Sequence, residues 1–449
     1  MSWEFRTEPD FEDKLTWTRA FVRDEVMPLE VLDLDEARLH ELIRPLQEEV
    51  RRHGLWAAFL PPHLGGSGWG QVKMALLSEV LGEALWAPTV FGARAPDSGN
   101  AELLALGATV RQRDRYLRPL LDGEIRSCFA MTEPDAGSDP TRIRTTARAD
   151  GDGWLINGHK WFASNASVAA FLLVMCVTDA AAPPRQGQSI FLVPRDTPGL
   201  TVVRNIPALD DHNPYFHAPQ PDQHAEVLLE DVRVTPENLV GTLGQGWELA
   251  QARLGPGRIH HCMRWLGQAN RAFRMLCERA VSREAAGSRL ADKQLIQHYV
   301  AQSAAQMQAA RLMTLHAAWV IDTEGVEAAR TDISMIKFFG SRVLHDVIDR
   351  ALQVHGSLGY SADMPLEWMY RLARAARIYD GPDEIHEALV ARRLLRQFSP
   401  VPVPSEHIPT RRLAAERRLS SEGPLGVKRP PGSERPDAAT ATQTVPEPA

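Results

Sequence analysis

Cysteine is scarce in this chain: Cys128, Cys176, Cys262 and Cys277 are the only four in 449 residues. They are too few and too far apart for a disulfide framework or a CxxC zinc or redox site, and read as small buried apolar side chains in a reducing compartment. Lysine is scarcer than arginine, since Lys14, Lys73, Lys160, Lys293, Lys337 and Lys428 are all there are among 50 basic residues. The 57 acidic residues bring the net charge to −7, so no global positive field exists to hold nucleic acid or an anionic membrane. No apolar run reaches membrane-spanning length, and the first residues, MSWEFRTEPDFEDK, put acids where a signal peptide has basic residues. A cytoplasmic protein with no nucleic-acid partner and no membrane insertion is expected. Also missing are a GxGxxG opening a helix after a strand, a GxxxxGK[ST], and any alternation of strand with helix. A Rossmann dehydrogenase and a P-loop nucleotidase are therefore not expected.

What is present divides into blocks. The length and the 44% hydrophobic content suit two or three packed units. Residues 1–126 read as helices, with apolar i, i+3/i+4 spacing over Leu15 to Val26, Leu39 to Arg52, Met74 to Leu85 and Gly99 to Leu121, and a Pro61 to Gly68 loop between them. Residues 127–243 are short β-branched and aromatic segments: 144–149, 153–156, 171–177, 189–194, 200–203 and 226–234, with Asp150 to Gly153 and Asn157-Gly158 as turns. A compact antiparallel barrel or sandwich is expected. Inside it, Asp210 to His224 is polar and rich in Pro and His; its three histidines lack a regular ligand spacing, so a surface loop is expected rather than a metal site. Residues 244–398 return to helical period, with long segments over 247–284, 291–323, 326–355 and 384–397 forming a four-helix bundle. Residues 399–449 hold ten of the 32 prolines and few aromatics, the composition of a disordered tail.

Three stretches carry chemistry. Cys128 to Asp139 (CFAMTEPDAGSD) sets hydroxyls and small residues beside carboxylates; it suits either a β-turn with Asx caps or a cradle for a planar polar cofactor or a phosphate. Asn157 to Asn165 holds Trp161 and Phe162 ahead of Ser164, aromatics that serve a core or stack on a ring system. The third runs from Gln353-Val354-His355-Gly356-Ser357 to Ile378-Tyr379-Asp380-Gly381-Pro382-Asp383-Glu384. There Asp380 is either a helix-cap residue or a base at a helix N-terminus.

Together, in this order and in a helix–β–helix chain, these stretches resemble the acyl-CoA dehydrogenase family of flavoproteins from about residue 15 to 398. Thr132-Glu133 to Ser138-Asp139 is similar to its T-E-x-x-x-G-S-D, Lys160 to Asn165 to its second flavin segment, Gln353 to Gly359 to its Q-x-x-G-x-x-G, and Pro61 to Gly68 to its P-x-x-x-G-G-x-G. The resemblance implies FAD and an acyl-CoA thioester, with Asp380 taking the α proton while hydride leaves the β carbon for flavin N5. Many members have Glu at that place; Asp is one methylene shorter, and a desolvated site is expected to raise its pKa toward the working range. Met131, Thr132 and Gly137 are implied at the flavin, with Thr132 on its pyrimidine edge, Phe162 (where Trp is common) and Ser164 along the isoalloxazine, and Ser138 toward the phosphates of FAD or CoA. Gln353, Gly356 and Ser357 join them, as do Pro382 and Glu384, which stand where a hydroxyl and a Gln are usual. Arg283 and Gln294 resemble the pair that reaches a neighbouring subunit's FAD, which implies a dimer or a dimer of dimers. Tyr379 and Gly381 flank the base on the substrate side.

Leu254 to Arg264 (LGPGRIHHCMR) and Asp380 to Glu384 (DGPDE) most resemble the subgroup whose animal members are fused to a phosphotransferase-like kinase domain. Arg258 falls at the family's substrate-side arginine. With His260, His261 and Arg264 it would set cations along one helix start, suited to a substrate phosphate, unless the histidines are core residues. The leading expectation is α,β-dehydrogenation to the 2-enoyl-CoA within fatty-acid β-oxidation, with electron-transferring flavoprotein as acceptor. The alternatives are phosphate elimination from a 4-phosphoacyl-CoA, an acyl-CoA oxidase, and a scaffold in which Asp380 only caps a helix.

Overall fold

The computed structural model describes residues 7–32, 34–209, 223–400 and 409–422. Four helices of the N-terminal part position the rest: α1 (Pro9–Phe21), α2 (Glu36–Arg52), α3 (Gln71–Leu81) and α4 (Asp97–Gly107). Asp35 starts α2 by accepting from the Arg38 N–H at 2.7 Å, an N-cap that satisfies one of the free donors of the first turn.

The middle part is a sheet of β1 (Ser127–Ala130), β2 (Thr146–Asp150), β3 (Gly153–Ser164), β4 (Phe171–Val177), β5 (Gln188–Pro194), β6 (Leu200–Asn205), β7 (His224–Val234) and β8 (Leu239–Val240). The order is β6-β7-β3-β2-β4-β5-β8, with β1 beside β4. Pairing is antiparallel except for β1 with β4 and the Thr146–Val177 pair of β2 with β4, which are parallel. Alternate residues of β4 and β5 enter two cores, Leu172, Val174, Phe191 and Val193 on one face and Phe171, Leu173, Ile190 and Leu192 on the other. Burial on both faces explains their unbroken apolar runs. Asn157-Gly158, expected as a turn, is a bulge within a β3 that runs on to Ser164. The Asn157 side chain and Asp231 exchange two hydrogen bonds there at 3.0 and 2.8 Å, a local bond that replaces lost ladder pairing without breaking the strand.

Three long helices follow, α5 (Gly246–Ser282), α6 (Gln294–Glu324) and α7 (Arg330–His355), then α8 (Leu366–Ala375) and α9 (Asp383–Leu395). A two-stranded hairpin, β9 (Glu284–Ala285) and β10 (Ser288–Arg289), joins α5 to α6. The helices of both ends share one apolar core, in which Leu77 and Val80 of α3 meet Cys262, Met263 and Leu266 of α5 and Ile336 and Val343 of α7. Crossing of α3 and α5 is close: a Cβ on Gly267 would lie 2.1 Å from the Glu79 carbonyl oxygen, and one on Gly82 2.1 Å from that of Arg264. Backbone therefore rests on backbone where α5 carries its polar side chains. Among the described residues no helix is long and apolar enough to cross a membrane. All four cysteines are free, and three are buried.

The described residues from 394 onward, 394–400 and 409–422, belong to a unit separate from the rest. Within the stretch expected to be disordered, Pro409–Glu422 is a helix, α10, whose residues 411–420 are all exposed. Good helix formers and an Arg412–Glu416 ion pair one turn apart support it locally.

Candidate functional site

The Met131–Ser138 segment hangs from the sheet by a buried ion pair. Lys160, on β3, has no exposed side-chain surface; its Nζ donates to Glu133 Oε1 at 2.9 Å and to the carbonyl oxygens of Met131 at 3.1 Å and Met175 at 2.7 Å. Glu133 also accepts from the Arg144 N–H at 2.7 Å and from the Thr145 N–H and hydroxyl at 2.9 and 2.5 Å. Burial works to raise the Glu133 carboxyl, and Lys160 with these hydrogen bonds outweighs it, holding the pKa below its ordinary value. The Trp161 N–H donates to the Thr132 carbonyl oxygen at 2.8 Å. That bond sets Thr132 beside the end of β3. A second bulge there turns Phe162 to positive φ, +50°, and leaves its side chain 43% exposed. Ser164 pairs with His224, whose Nδ1 lies 2.8 Å from the hydroxyl, and the His224 ring is 5.4 Å from that of Phe162. His224 was expected in the polar loop; it opens β7, while 210–222 of that loop lie outside the described residues. The alternation of β7 was the available signal.

This face fits a flat polar cofactor. Exposed Phe162 follows Trp161, whose N–H holds Thr132, and precedes Ser164 by two residues; Gly137 and Ser138 are exposed, and a Cβ on Gly137 would meet nothing within 4 Å. Gln353, Gly356 and Ser357 are exposed at the C-terminal end of α7, where Gly356 has φ +65°. Arg283 and Gln294 are exposed at the β9–β10 hairpin, the Arg283 carbonyl oxygen accepting from the Leu290 N–H at 2.8 Å. None of their hydrogen bonds among the described residues reaches the Asp380 or Phe162 segments.

Asp380 sits in left-handed backbone, φ +54°, three residues ahead of α9. Its carbonyl oxygen is gripped from two helices: Arg258 of α5 donates through Nε and Nη2 at 3.2 and 3.1 Å, and His386 of α9 through Nε2 at 3.1 Å. Gly381 follows at φ +97°, where a Cβ would lie 2.8 Å from His386 Nε2, so only glycine fits the turn. The carboxylate does not cap α9; its Oδ2 is 3.4 Å from His261 Nε2 and the side chain keeps 22% exposure. The buried carboxylate at the start of α9 is Asp383, which accepts from Ser341 at 3.1 Å, Arg342 at 3.3 Å and Arg377 at 2.9 Å. Pro382 precedes it, and Glu384 is exposed. Beneath the loop, Lys337 donates to the Ala376 carbonyl oxygen at 2.7 Å and lies over the Trp265 and Tyr379 rings, and Trp265 Nε1 donates to the Tyr379 hydroxyl at 2.7 Å.

Electrostatics correct two expectations. Desolvation does act to raise the Asp380 pKa, but the adjacent His261 ring and the charges of Arg258, Arg253 and Lys337 overcome it and hold the carboxyl below its ordinary value. The Arg258–Arg264 stretch lies inside α5 rather than at a helix start, because buried Leu254, Ile259, Cys262 and Met263 carry the helix through the glycines. Its histidines are not cations. Burial first, then Arg264, push His260 and His261 each down to about 3, and His260 is a core residue whose Nε2 has no hydrogen-bond partner among the described residues.

Comparison with known proteins identifies the fold. Family models described as the N-terminal, middle and C-terminal domains of acyl-CoA dehydrogenase match residues 10–124, 128–213 and 244–395. A Mycobacterium tuberculosis protein called "Probable acyl-CoA dehydrogenase FadE2" is 45% identical over 78% of this chain and 85% of its own length. Mouse acyl-CoA dehydrogenase family member 10 is 40% identical over 86% of this chain, which spans only 37% of that longer protein. The structure of butyryl-CoA dehydrogenase from Megasphaera elsdenii superposes with a TM-score of 0.74 at 27% identity, covering 88% of this chain and all of that one. The chain belongs to the acyl-CoA dehydrogenase family of FAD-dependent oxidoreductases.

Proposed function

We propose that this protein dehydrogenates an acyl-CoA thioester to the 2-enoyl-CoA, with Asp380 as the base. One observation carries the reading: the loop backbone is pinned by Arg258 and His386 so that an ionised, partly exposed carboxylate is presented ahead of α9. When bound, FAD supplies the hydride acceptor. The Asp380 carboxylate takes the α proton, the β carbon gives up hydride, and a carbon–carbon double bond forms between them; Asp380 then returns its proton to solvent. Fixed backbone offsets the shorter side chain, because a left-handed residue clamped at its carbonyl has lost the freedom that would otherwise waste reach. Thr132, Phe162 and Ser164 would hold the flavin ring, with Met131, Gly137 and Ser138 beside them. Gln353, Gly356, Ser357, Pro382 and Glu384 would take the rest of the cofactor, some of them from a second subunit.

Exposed Arg283 and Gln294 fit a role at a neighbour's FAD, which makes the working form a dimer or dimer of dimers. Electron-transferring flavoprotein as acceptor, a place in cytoplasmic β-oxidation, and kinship with the kinase-fused subgroup complete the proposal. Arg258, Tyr379 and Gly381 line the substrate side. A second reading, phosphate elimination from a 4-phosphoacyl-CoA, draws support from the cations Arg253, Arg258 and Lys337 that act on Asp380. Anaerobic titration with straight-chain, 4-hydroxy and 4-phospho acyl-CoAs separates the two. Flavin bleaching with enoyl-CoA formation supports dehydrogenation, inorganic phosphate release without acceptor reduction supports elimination, and neither with FAD bound overturns both.

A further inference from the structure

Arg264 and His261 form a chain that ends on the base. Arg264 Nη2 lies 3.1 Å from His261 Nδ1. A guanidinium can only donate, so Nδ1 is the acceptor, and the neutral ring carries its hydrogen on Nε2. That is the atom 3.4 Å from Asp380 Oδ2, a separation that a catalytic contact can shorten when substrate closes the site. Both residues ride on α5 within three residues of each other. Arg264 is further held by donating to the Ala93 carbonyl oxygen at 3.1 Å, and its own carbonyl is at the crossing that admits only Gly82. The ring is thus oriented from behind by a rigid part of the helix.

We infer that His261 is a positioning residue for Asp380: its Nε2–H, set by Arg264, aims the carboxylate and stabilises its ionised form, in place of contacting the acyl chain. This rests on Asp380 being the base. Burial, with Arg264 adding to the effect, keeps the ring neutral although Asp380 acts against them, so what it offers the carboxylate 3.4 Å away is an N–H rather than a charge. The charges facing Asp380 are those of Arg253 and Arg258 on α5 and Lys337 on α7, with His386 on α9 held neutral by burial and Tyr379 un-ionised beside it. Orientation is what they do not supply. Arg258 and His386 grip the backbone carbonyl of Asp380, and His261 alone among these makes a side-chain contact with the carboxylate at ion-pair distance.

The test uses FAD-loaded enzyme and 3-thiaoctanoyl-CoA, whose sulfur at the β position prevents hydride loss while leaving the α hydrogens exchangeable. Exchange in D2O is followed by mass spectrometry against pH, and the Kd is measured in parallel. Asp380→Asn should abolish exchange; if it does not, the base assignment fails whatever His261 does. His261→Leu should slow exchange by about 10- to 100-fold, the scale of misplacing a catalytic group, at unchanged Kd, and move the acid limb upward. His261→Gln, which can present an N–H near the same point, should restore most of the rate. If the leucine variant loses its FAD absorbance, His261→Asn, too short to reach Asp380, replaces it with the same expected loss. Wild-type exchange in these variants, or a loss confined to Kd, overturns the inference while leaving Asp380 as base.

Discussion

Replacing Lys160 by Met tests how the flavin-side loop is held. The substitution keeps the aliphatic stem in its fully buried channel and deletes one ammonium that serves three acceptors, Glu133, Met131 and Met175. Glu133, 6% exposed, keeps Arg144 and Thr145 as donors but loses its cation. Breaking a buried pair from one side costs about 3–5 kcal/mol, and the remaining donors put the expected loss at the lower end, about 3 kcal/mol. Urea denaturation of the FAD-free protein reads this directly, and Glu133→Gln in the Lys160→Met background should recover about half of it, since no uncompensated charge is then buried. The pair also sets an acid limit. Because the folded Glu133 pKa lies below its ordinary 4.5, its contribution is complete above that pH and fades as pH falls through the folded value; the variant should lack this part of the acid transition. A Lys160→Met protein within about 1 kcal/mol of wild type, with an unchanged acid limb, would refute the role given to the pair.

Other outcomes follow from the same geometry. Gly267→Ala places a methyl 2.1 Å from the Glu79 carbonyl oxygen and should cost at least about 2 kcal/mol in the urea midpoint, with wider effects on Asp380 through the α3–α5 crossing. Asp383→Asn leaves Arg342 and Arg377 without their shared carboxylate; as both arginines are partly exposed, about 2 kcal/mol is expected. For free enzyme, the acid limb of kcat/KM should lie below the ordinary Asp380 value of 3.8, since the ionised base is the active form and its pKa is depressed. A limb near pH 6 would show that desolvation wins.

Much of the architecture could be read in advance because periodicity reports burial. The long helices α5 to α7 and the apolar runs of β4 and β5 bury continuous stripes, and these were legible. The bulges of β3 were not, because Asn157-Gly158 carries the same signal as a hairpin turn until Asp231 is known to lie across from it. The parallel β1–β4 pair likewise depends on partners distant in sequence. At the site, residue types were visible and their relations were not. Asp380 stood out as a carboxylate before a helix. Its left-handed backbone did not, and its grip by Arg258 joins residues 122 apart in sequence. The sign of its pKa shift needed the count of cations around it, and the histidines' neutrality needed their burial.

The most direct measurement is stopped-flow reduction of enzyme-bound FAD by octanoyl-CoA under anaerobic conditions, comparing wild type with Asp380→Asn at equal FAD content. Loss of the base should slow reduction by about 10²- to 10⁴-fold while octanoyl-CoA still binds. Reduction of the variant at near the wild-type rate would show that some other group takes the α proton.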